Sequence, residues 1–213
     1  MSAVDVKGLT VNYGKSPVLA NFSLKVGEGE AVLIRGASGR GKSTLLHAVC
    51  GLIPSIITAN ITGKIRLFGE QVGDLTVARR ARKIGIVFQN PDNQLFCDSV
   101  EDEIAFGLEN LCTPLVEIGQ RITEMLELIG MQEHRNTSPR ELSGGEKQRV
   151  VLASVLALDP QILLLDEALS QMDPSGKFAM LAHLGALRRQ GRTMLMVDHD
   201  DILAEIATRI IEL

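Results

Sequence analysis

The stretch GASGRGKST has residue types and spacing suited to holding a polyphosphate. Gly36 and Gly41 bracket a short turn, and Lys42 and Ser43 follow directly, between an apolar run and a helix-forming run. Glycines let the backbone curl so that its N–H groups face phosphate oxygens, and the following helix adds its positive dipole end. In such a loop the lysine reaches the β- and γ-phosphates and the serine binds Mg²⁺. The predicted cradle comprises Gly36, Ala37, Ser38, Gly39, Arg40, Gly41, Lys42, Ser43 and Thr44; the alternative is a glycine-rich turn that binds nothing.

Two adjacent acids follow a second apolar run, ILLLDE. Asp166 ends that run and is of the type that binds Mg²⁺ beside a phosphate cradle. Glu167 points the other way in an extended chain, but a turn at the strand end brings both side chains to the site. Glu167 is then either a general base for an attacking water or a solvated residue, and its position beside Asp166 favours the base. These motifs indicate nucleotide hydrolysis or transfer without separating kinases, GTPases and ATPases, although no NKxD-like guanine-reading run is present.

The segment LSGGEKQRV offers a second helix start. Ser143 is suited to cap a helix, with Glu146 as its capping-box partner, and Gly144 and Gly145 lie between them. The segment is therefore either a capped helix with a flexible lead or a second anion-binding helix N-terminus.

The order of these motifs, with Gln89 after the run KIGIVF and His199 near the end of the chain, resembles that of ATP-binding cassette (ABC) ATPase subunits. The resemblance covers essentially the whole chain. It implies that two such subunits pack head to tail, and that each ATP lies between the cradle of one and Ser143, Gly144 and Gly145 of the other.

The same resemblance implies roles for further residues. Glu167 would be the catalytic base, and His199 would contact the γ-phosphate. Asp173 would link the two active sites, and Tyr13 would stack on adenine. The implied cofactors are ATP and Mg²⁺; the catalytic residues are Glu167, His199, Gln89 and Lys42, and the metal ligands are Ser43, Gln89 and Asp166. Gln171 departs from the family, which more often has a small residue there.

Apolar runs such as AVLIRG, KIGIVFQ, QILLLDE and TMLMVDHD are typical of strands buried on both faces. Strand and helix patterns alternate in the first and last thirds of the chain, and helical periodicity fills the middle. This alternation predicts an α/β fold with a parallel sheet, and the resemblance described above implies an α/β P-loop fold of the ABC ATPase type. We expect one domain over 1–213, with a mostly parallel core sheet, an N-terminal antiparallel β part and a helical subdomain inserted at about 90–157. Residues 52–83 are expected to form turns and short strands.

Composition excludes several classes of protein. The net charge of −4 and the pI of about 5.6 argue against a broad basic surface for nucleic acid. Cys50, Cys97 and Cys112 are too far apart to indicate a zinc site or a disulfide framework. The N-terminus does not resemble a signal peptide, and the apolar runs are too short to span a bilayer. If the protein serves a membrane, it therefore does so through partners, and the ABC resemblance implies a peripheral protein on the cytoplasmic face of the membrane.

The run QNPDNQLF, which directly follows KIGIVF, narrows the identity of the partner. Pro91 blocks a helix, and Leu95 and Phe96 either fill the local core or form an apolar anchor for a partner helix. The run resembles that of energy-coupling-factor importers for vitamins or transition-metal ions, which implies a transmembrane scaffold subunit contacting Asn90 to Phe96. Another ABC importer ATPase, a soluble ABC ATPase and a regulatory ATP-binding module are the alternatives, and the transported substrate cannot be inferred.

Overall fold

The computed structural model describes residues 2–14, 16–199 and 201–213. The strands are β1 (Ser2–Asn12), β2 (Pro17–Gly27), β3 (Ala31–Arg35), β4 (Asn60–Leu67), β5 (Glu70–Gln71), β6 (Ile84–Val87), β7 (Ile162–Asp166), β8 (Thr193–Val197) and β9 (Arg209–Glu212). The helices are α1 (Lys42–Val49), α2 (Val77–Ala81), α3 (Val100–Asn110), α4 (Leu115–Ile129), α5 (Gly144–Ala157) and α6 (Pro174–Arg189). Among the described residues, none of the helices has the length and apolar character needed to cross a membrane.

A parallel sheet forms the centre of the molecule, with strand order β6-β7-β8-β3-β9. Strands β3, β6, β7 and β8 are buried on both faces, as the apolar runs predict, whereas the edge strand β9 is largely exposed. In β3, for example, Val32 and Ile34 belong to one hydrophobic cluster while Leu33 belongs to the other. The predicted parallel core sheet is confirmed.

An antiparallel sheet of order β2-β1-β4-β5 packs on one side of the core. The N-terminal antiparallel part is therefore also confirmed. Within residues 52–83, where only turns and short strands are expected, the structure has the eight-residue strand β4. Its residues Leu67 and Ile65 pair with Val4 and Val6 of β1. The pattern conceals this strand because Gly63 interrupts it. That glycine has φ +98°, and a Cβ there would lie 2.6 Å from the carbonyl oxygen of Gly8, so the close approach of β1 requires it.

The helical insertion lies between β6 and β7 and comprises α3, α4 and α5, which pack on one another. Its core includes Ile104, Ile122 and Val151 and is continuous with the second face of the parallel sheet. The boundaries at about 90–157 and the single domain over 1–213 stay predictions.

The parallel topology places the ends of several strands at one edge. The cradle follows β3, Gln89 follows β6, Glu167 follows β7 and His199 follows β8. Open α/β sheets bind ligands outside the carboxyl ends of their strands.

Candidate nucleotide-binding site

The loop from β3 to α1 is shaped by glycines in conformations that side chains rarely adopt. Gly36, Gly39 and Gly41 have φ of 142°, 80° and 90°. Gly41 precedes α1, and a Cβ there would lie 2.9 Å from the carbonyl oxygen of Val18, so β2 supports the loop directly. Because Gly41 has no side chain to cap α1, an anion is a suitable partner for the first N–H groups of the helix.

The Lys42 side chain closes this loop. Its ammonium donates to the carbonyl oxygens of Gly36 at 2.7 Å and Ala37 at 3.0 Å, and the residue is only 6% exposed. The lysine thus holds the curl of the loop with its charge inside, where phosphate oxygens would meet it.

Asp166 lies in the floor of the site, at the last position of β7, and is 4% exposed. Burial raises the pKa of its carboxyl, while a hydrogen bond from Ser43 and the charges of His47, Lys42 and His199 oppose that rise. A buried carboxylate joined to a hydroxyl is a donor set of hard oxygens, which fits Mg²⁺. The residues present are therefore compatible with the cation implied by the sequence.

The carboxylate of Glu167 is held between side chains that follow β6 and β8, the two strands on either side of β7. Its φ of +49° turns the chain at the end of β7, as expected from the sequence. Gln89 Nε2 donates to Oε2 at 2.6 Å, and His199 Nε2 lies 3.1 Å from Oε1.

Apart from Asp166, these groups share one open cleft of about 260 Å³. The described residues that line it are Val18, Ser38, Gly39, Gly41, Lys42, Ser43, Thr44, Gln89, Glu167 and His199. Asp166 lines an adjoining cleft together with Ser43 and Gln89. Sequence reasoning missed Val18, because an aliphatic residue at the start of β2 gives no chemical signal and only the topology brings it to the cradle. Arg40 is exposed and is not among the described lining residues.

Tyr13 lies beside the first turn of α1. Its hydroxyl is 3.5 Å from Thr44 Oγ1, and the side chain is 45% exposed. The exposed ring next to the cradle is available for stacking. Its contact with adenine stays a prediction.

The second helix start has the predicted capping box. Ser143 Oγ accepts from Glu146 N at 3.4 Å, and Glu146 Oε2 accepts from Ser143 N at 2.8 Å and from Ser143 Oγ at 2.7 Å. The hydrogen bond from the Ser143 hydroxyl holds the pKa of Glu146 below its usual range. The prediction of a capped helix is confirmed.

The start of α5 nevertheless stands apart from the cleft. Ser143, Gly144, Gly145 and Asp173 are not among the described residues that line it. Asp173 instead precedes α6 and accepts a hydrogen bond from the Ser175 hydroxyl, which lowers the pKa of its carboxyl. One chain therefore displays two separate groups of predicted phosphate-binding residues.

Side chains also join α5 to the segment on both sides of Gln89. Lys147 Nζ pairs with Asp92 Oδ1 at 2.7 Å, and Gln148, fully buried, donates from Nε2 to the carbonyl oxygen of Phe88 at 3.3 Å. Asn90 caps a short 3₁₀ turn over Pro91–Asn93, in agreement with the turn expected there.

Leu95 and Phe96 differ in burial, so the core alternative holds for Leu95, while the role of Phe96 as an anchor for a partner helix stays a prediction. Leu95 packs against the hydrophobic core, whereas Phe96 is 62% exposed and contacts the ring of Phe106, with centroids 4.7 Å apart. The buried carboxylate of Glu103 accepts from the backbone N–H groups of Phe96 and Cys97. The exposed ring therefore stands on a fixed backbone.

The family model described as "ABC transporter" matches residues 19–170, which is most of the chain. The chain belongs to the ABC transporter family. Among curated ABC proteins it is 44% identical over 199 residues to a putative ABC transporter ATP-binding protein of Methanosarcina acetivorans, covering 92% of this chain and 31% of that protein. It is 40% identical over 214 residues to the energy-coupling factor transporter ATP-binding protein EcfA1 of Leuconostoc mesenteroides, covering 99% of this chain and 77% of that protein.

Solved ABC structures give the same result for the fold. CbiO1 from Clostridium perfringens, described as part of the ABC transporter complex cbiONQ, is 30% identical with a TM-score of 0.82, covering 99% of this chain and 84% of that one. The ATP-binding cassette MJ0796, in a dimeric post-hydrolysis state bound to ADP and Pi, is 30% identical with a TM-score of 0.87, covering 99% of this chain and 94% of that one. The predicted ABC ATPase fold is confirmed. The chain spans about a third of the length of the Methanosarcina acetivorans and Methanosarcina mazei proteins that it matches.

Proposed function

We propose that this chain binds ATP with Mg²⁺ and hydrolyses it to ADP and phosphate. The observation that carries the proposal is the Glu167 carboxylate, which lies at the phosphate cradle with Gln89 on one oxygen and His199 beside the other. A positioned carboxylate next to a polyphosphate site is the arrangement that a general base requires.

Each group at the site has a defined task in this reaction. Lys42 and the loop N–H groups bind the β- and γ-phosphates, and Tyr13 stacks on the base. Ser43, Asp166 and Gln89 hold Mg²⁺, which when bound neutralises charge that develops on the phosphates. Glu167 accepts a proton from the attacking water, while His199 contacts the γ-phosphate.

The active unit is a pair of subunits packed head to tail. Ser143, Gly144 and Gly145 lie outside the cleft of their own chain, at a helix start that suits an anion. A second subunit would lend these residues to the ATP, with Asp173 at the junction. The dimeric structure of the similar cassette MJ0796 supports this arrangement.

The partner in the membrane is a transmembrane scaffold subunit of an energy-coupling-factor importer for vitamins or transition-metal ions. The similarity to EcfA1 and to a component of cbiONQ supports this subgroup. The contact segment is Asn90 to Phe96, with the exposed ring of Phe96 as its anchor. This places the chain on the cytoplasmic face of the membrane without a nucleic-acid partner; another ABC importer or a soluble ABC ATPase is the alternative.

The Glu167→Gln variant tests the hydrolytic role. Loss of the base should lower the ATPase rate by at least about a hundredfold, since general-base catalysis contributes that much or more. ATP binding should persist, so light scattering should detect an ATP-bound dimer. Glu117→Gln, on the exposed face of α4, is the matched control and should keep the wild-type rate. A Glu167→Gln protein that hydrolyses ATP normally would exclude the proposed base.

A second pair of variants tests the membrane partner. Phe96→Asp should lose co-purification with transmembrane subunits encoded beside this chain. Phe178→Asp alters a ring on α6 that is 63% exposed, almost the same as the 62% for Phe96, and should retain them. Equal retention by both variants would show that Phe96 is not the anchor, whereas recovery of no transmembrane subunit with the wild type would favour the soluble alternative.

A further inference from the structure

Gln171, the residue that departs from the family pattern, lies where three functional segments meet. It belongs to the loop between β7 and α6, which begins with Glu167. Leu169 and Met172 anchor this loop in the core, at 1% and 5% exposure, while Gln171 projects from it. Hydrogen bonds from Ser170 N to Glu167 O and from Met172 N to Leu169 O make the loop a pair of tight turns.

The amide of Gln171 touches the other two segments. Its Nε2 donates to the carbonyl oxygen of Gln89 at 3.5 Å. Its Oε1 packs against the start of α5, because a Cβ on Gly144 would lie only 2.5 Å from it. One side chain therefore spans from the loop of the proposed base to the backbone of Gln89 and to the glycines of α5.

The contact with Gln89 bears on catalysis because the Gln89 side chain donates a hydrogen bond to Glu167, the proposed base. The carbonyl held by Gln171 and the amide that donates to Glu167 at 2.6 Å belong to the same residue. Fixing the backbone of Gln89 restricts the directions its side chain can take. A small residue at 171 would leave that carbonyl without this donor.

The backbone at this junction is close-packed as well. A Cβ on Gly145 would lie 3.0 Å from the carbonyl oxygen of Gln171. Lys147 and Gln148 hold α5 to the segment around Gln89 by separate contacts with Asp92 and Phe88. The junction thus persists without the Gln171 amide, and variants at 171 should fold.

We infer that Gln171 is a positioning residue, which holds the backbone of Gln89 so that the Gln89 amide stays on Glu167. The inference rests on the roles proposed above for Gln89 and Glu167. It predicts an effect on the rate of hydrolysis and none on ATP binding, because Gln171 is not among the described residues of the cleft and a side chain of the same length at 171 would still fill the space against Gly144.

The test compares Gln171→Met, which keeps the length and loses the amide, with the wild-type chain and with Ser170→Ala in the same loop. With ATP and Mg²⁺, Gln171→Met should lower kcat about three- to tenfold, the value of one hydrogen bond, and leave KM for ATP unchanged. Ser170→Ala should keep both constants. Urea unfolding should show the same midpoint for all of these proteins, which excludes a general loss of structure.

A Gln89→Ala background makes the test specific. Gln89→Ala alone should be slow, and Gln171→Met should then add nothing, because the amide that it positions is gone. An equal further loss in that background would overturn the inference, as would a wild-type kcat for Gln171→Met beside a slow Gln89→Ala. A Gln89→Ala variant as fast as the wild type would overturn the role proposed for Gln89 and this inference with it.

Discussion

The cradle and the start of α5 are both helix N-termini suited to phosphate, yet they are built in opposite ways. At the cradle Gly41 precedes α1 without a side-chain cap, and Lys42 and Asp166 are buried around it. At α5 Ser143 and Glu146 already satisfy the helix start through a capping box. The first site leaves helix N–H groups available for a ligand bound by the same chain. At the second site the helix start is already capped, and its first residues are exposed to another molecule.

Under the proposed function, this difference would explain why two subunits are needed. Because the cradle opens along one side, a triphosphate bound in it would stay exposed on its outer face. The start of α5 is capped, so it is stable on its own and could contact such an exposed phosphate. Because each chain carries one of each, the proposed two-fold pair would complete both sites at once. Variants that alter only one of the two regions therefore test the comparison.

The largest effect is expected from a negative charge at the start of α5. Asp and Asn both cap helices well, so Ser143→Asp and Ser143→Asn should keep α5 folded. In the paired subunits the aspartate would face the γ-phosphate, where like charges about 4 Å apart cost about 4 kcal/mol near a protein surface. ATPase activity of Ser143→Asp should fall on the order of a thousandfold below that of Ser143→Asn. Equal rates for the two variants would mean that α5 does not meet ATP.

The next effect concerns the support of the cradle. Gly41→Ala would strain a backbone with φ +90° and press a Cβ against Val18 of β2. Strain and overpacking together should lower the free energy of unfolding by about 3 kcal/mol. Gly69→Ala is the matched control, since φ there is +83° with nothing within 4 Å of the added carbon, and strain alone should cost about 1–2 kcal/mol. Urea denaturation without nucleotide measures both, and equal losses would show that β2 does not brace the loop.

The features of these regions that the sequence predicts are those that depend on residues close together in the chain. The capping box of Ser143 and Glu146, the helix start at Lys42 and the turn at Glu167 each depend on a few neighbouring residues, so the pattern predicts them. The buried strands of the parallel sheet are equally clear, because both faces must be apolar. The predicted residues Lys42, Gln89, Glu167 and His199 come together in one cleft.

Contacts between distant segments could not be predicted in the same way. Val18 reaches the cradle only through the pairing of β2, and β4 pairs with β1 despite the glycine in its pattern. Gln171 is conspicuous in the sequence as a departure, but its contacts with Gln89 and Gly144 depend on how three loops pack. Such contacts follow from tertiary packing, which short-range patterns do not encode.

A smaller effect is expected from removing the cap of α5. Glu146→Ala deletes the carboxylate that accepts from Ser143 and should lower the free energy of unfolding by about 1 kcal/mol. Glu146→Gln retains an acceptor at the same place and should lose less. Chemical denaturation measures the free energy of unfolding of both variants and of the wild type. A loss for Glu146→Ala no larger than that for Glu146→Gln would mean that the box adds nothing to the stability of α5.

The smallest effect is a dependence on pH within the helical insertion. Arg135 donates to both carboxylate oxygens of Glu101 at 2.7 Å, and these hydrogen bonds lower the pKa of that carboxyl. Because the folded pKa lies below the unfolded value of about 4.3, the stabilisation is complete above that pH and is lost as pH falls through the folded pKa.

Both partners are partly exposed, so solvent screening limits the gain to about 1 kcal/mol or less. The free energy of unfolding should therefore fall less between pH 7 and acid for Glu101→Gln than for the wild type. Glu124→Gln removes the exposed pair with Arg121, where the atoms lie 3.1 Å apart, and should change this dependence less. A Glu101→Gln protein with the wild-type pH dependence would show that the ion pair does not hold α3 to the segment that leads into α5.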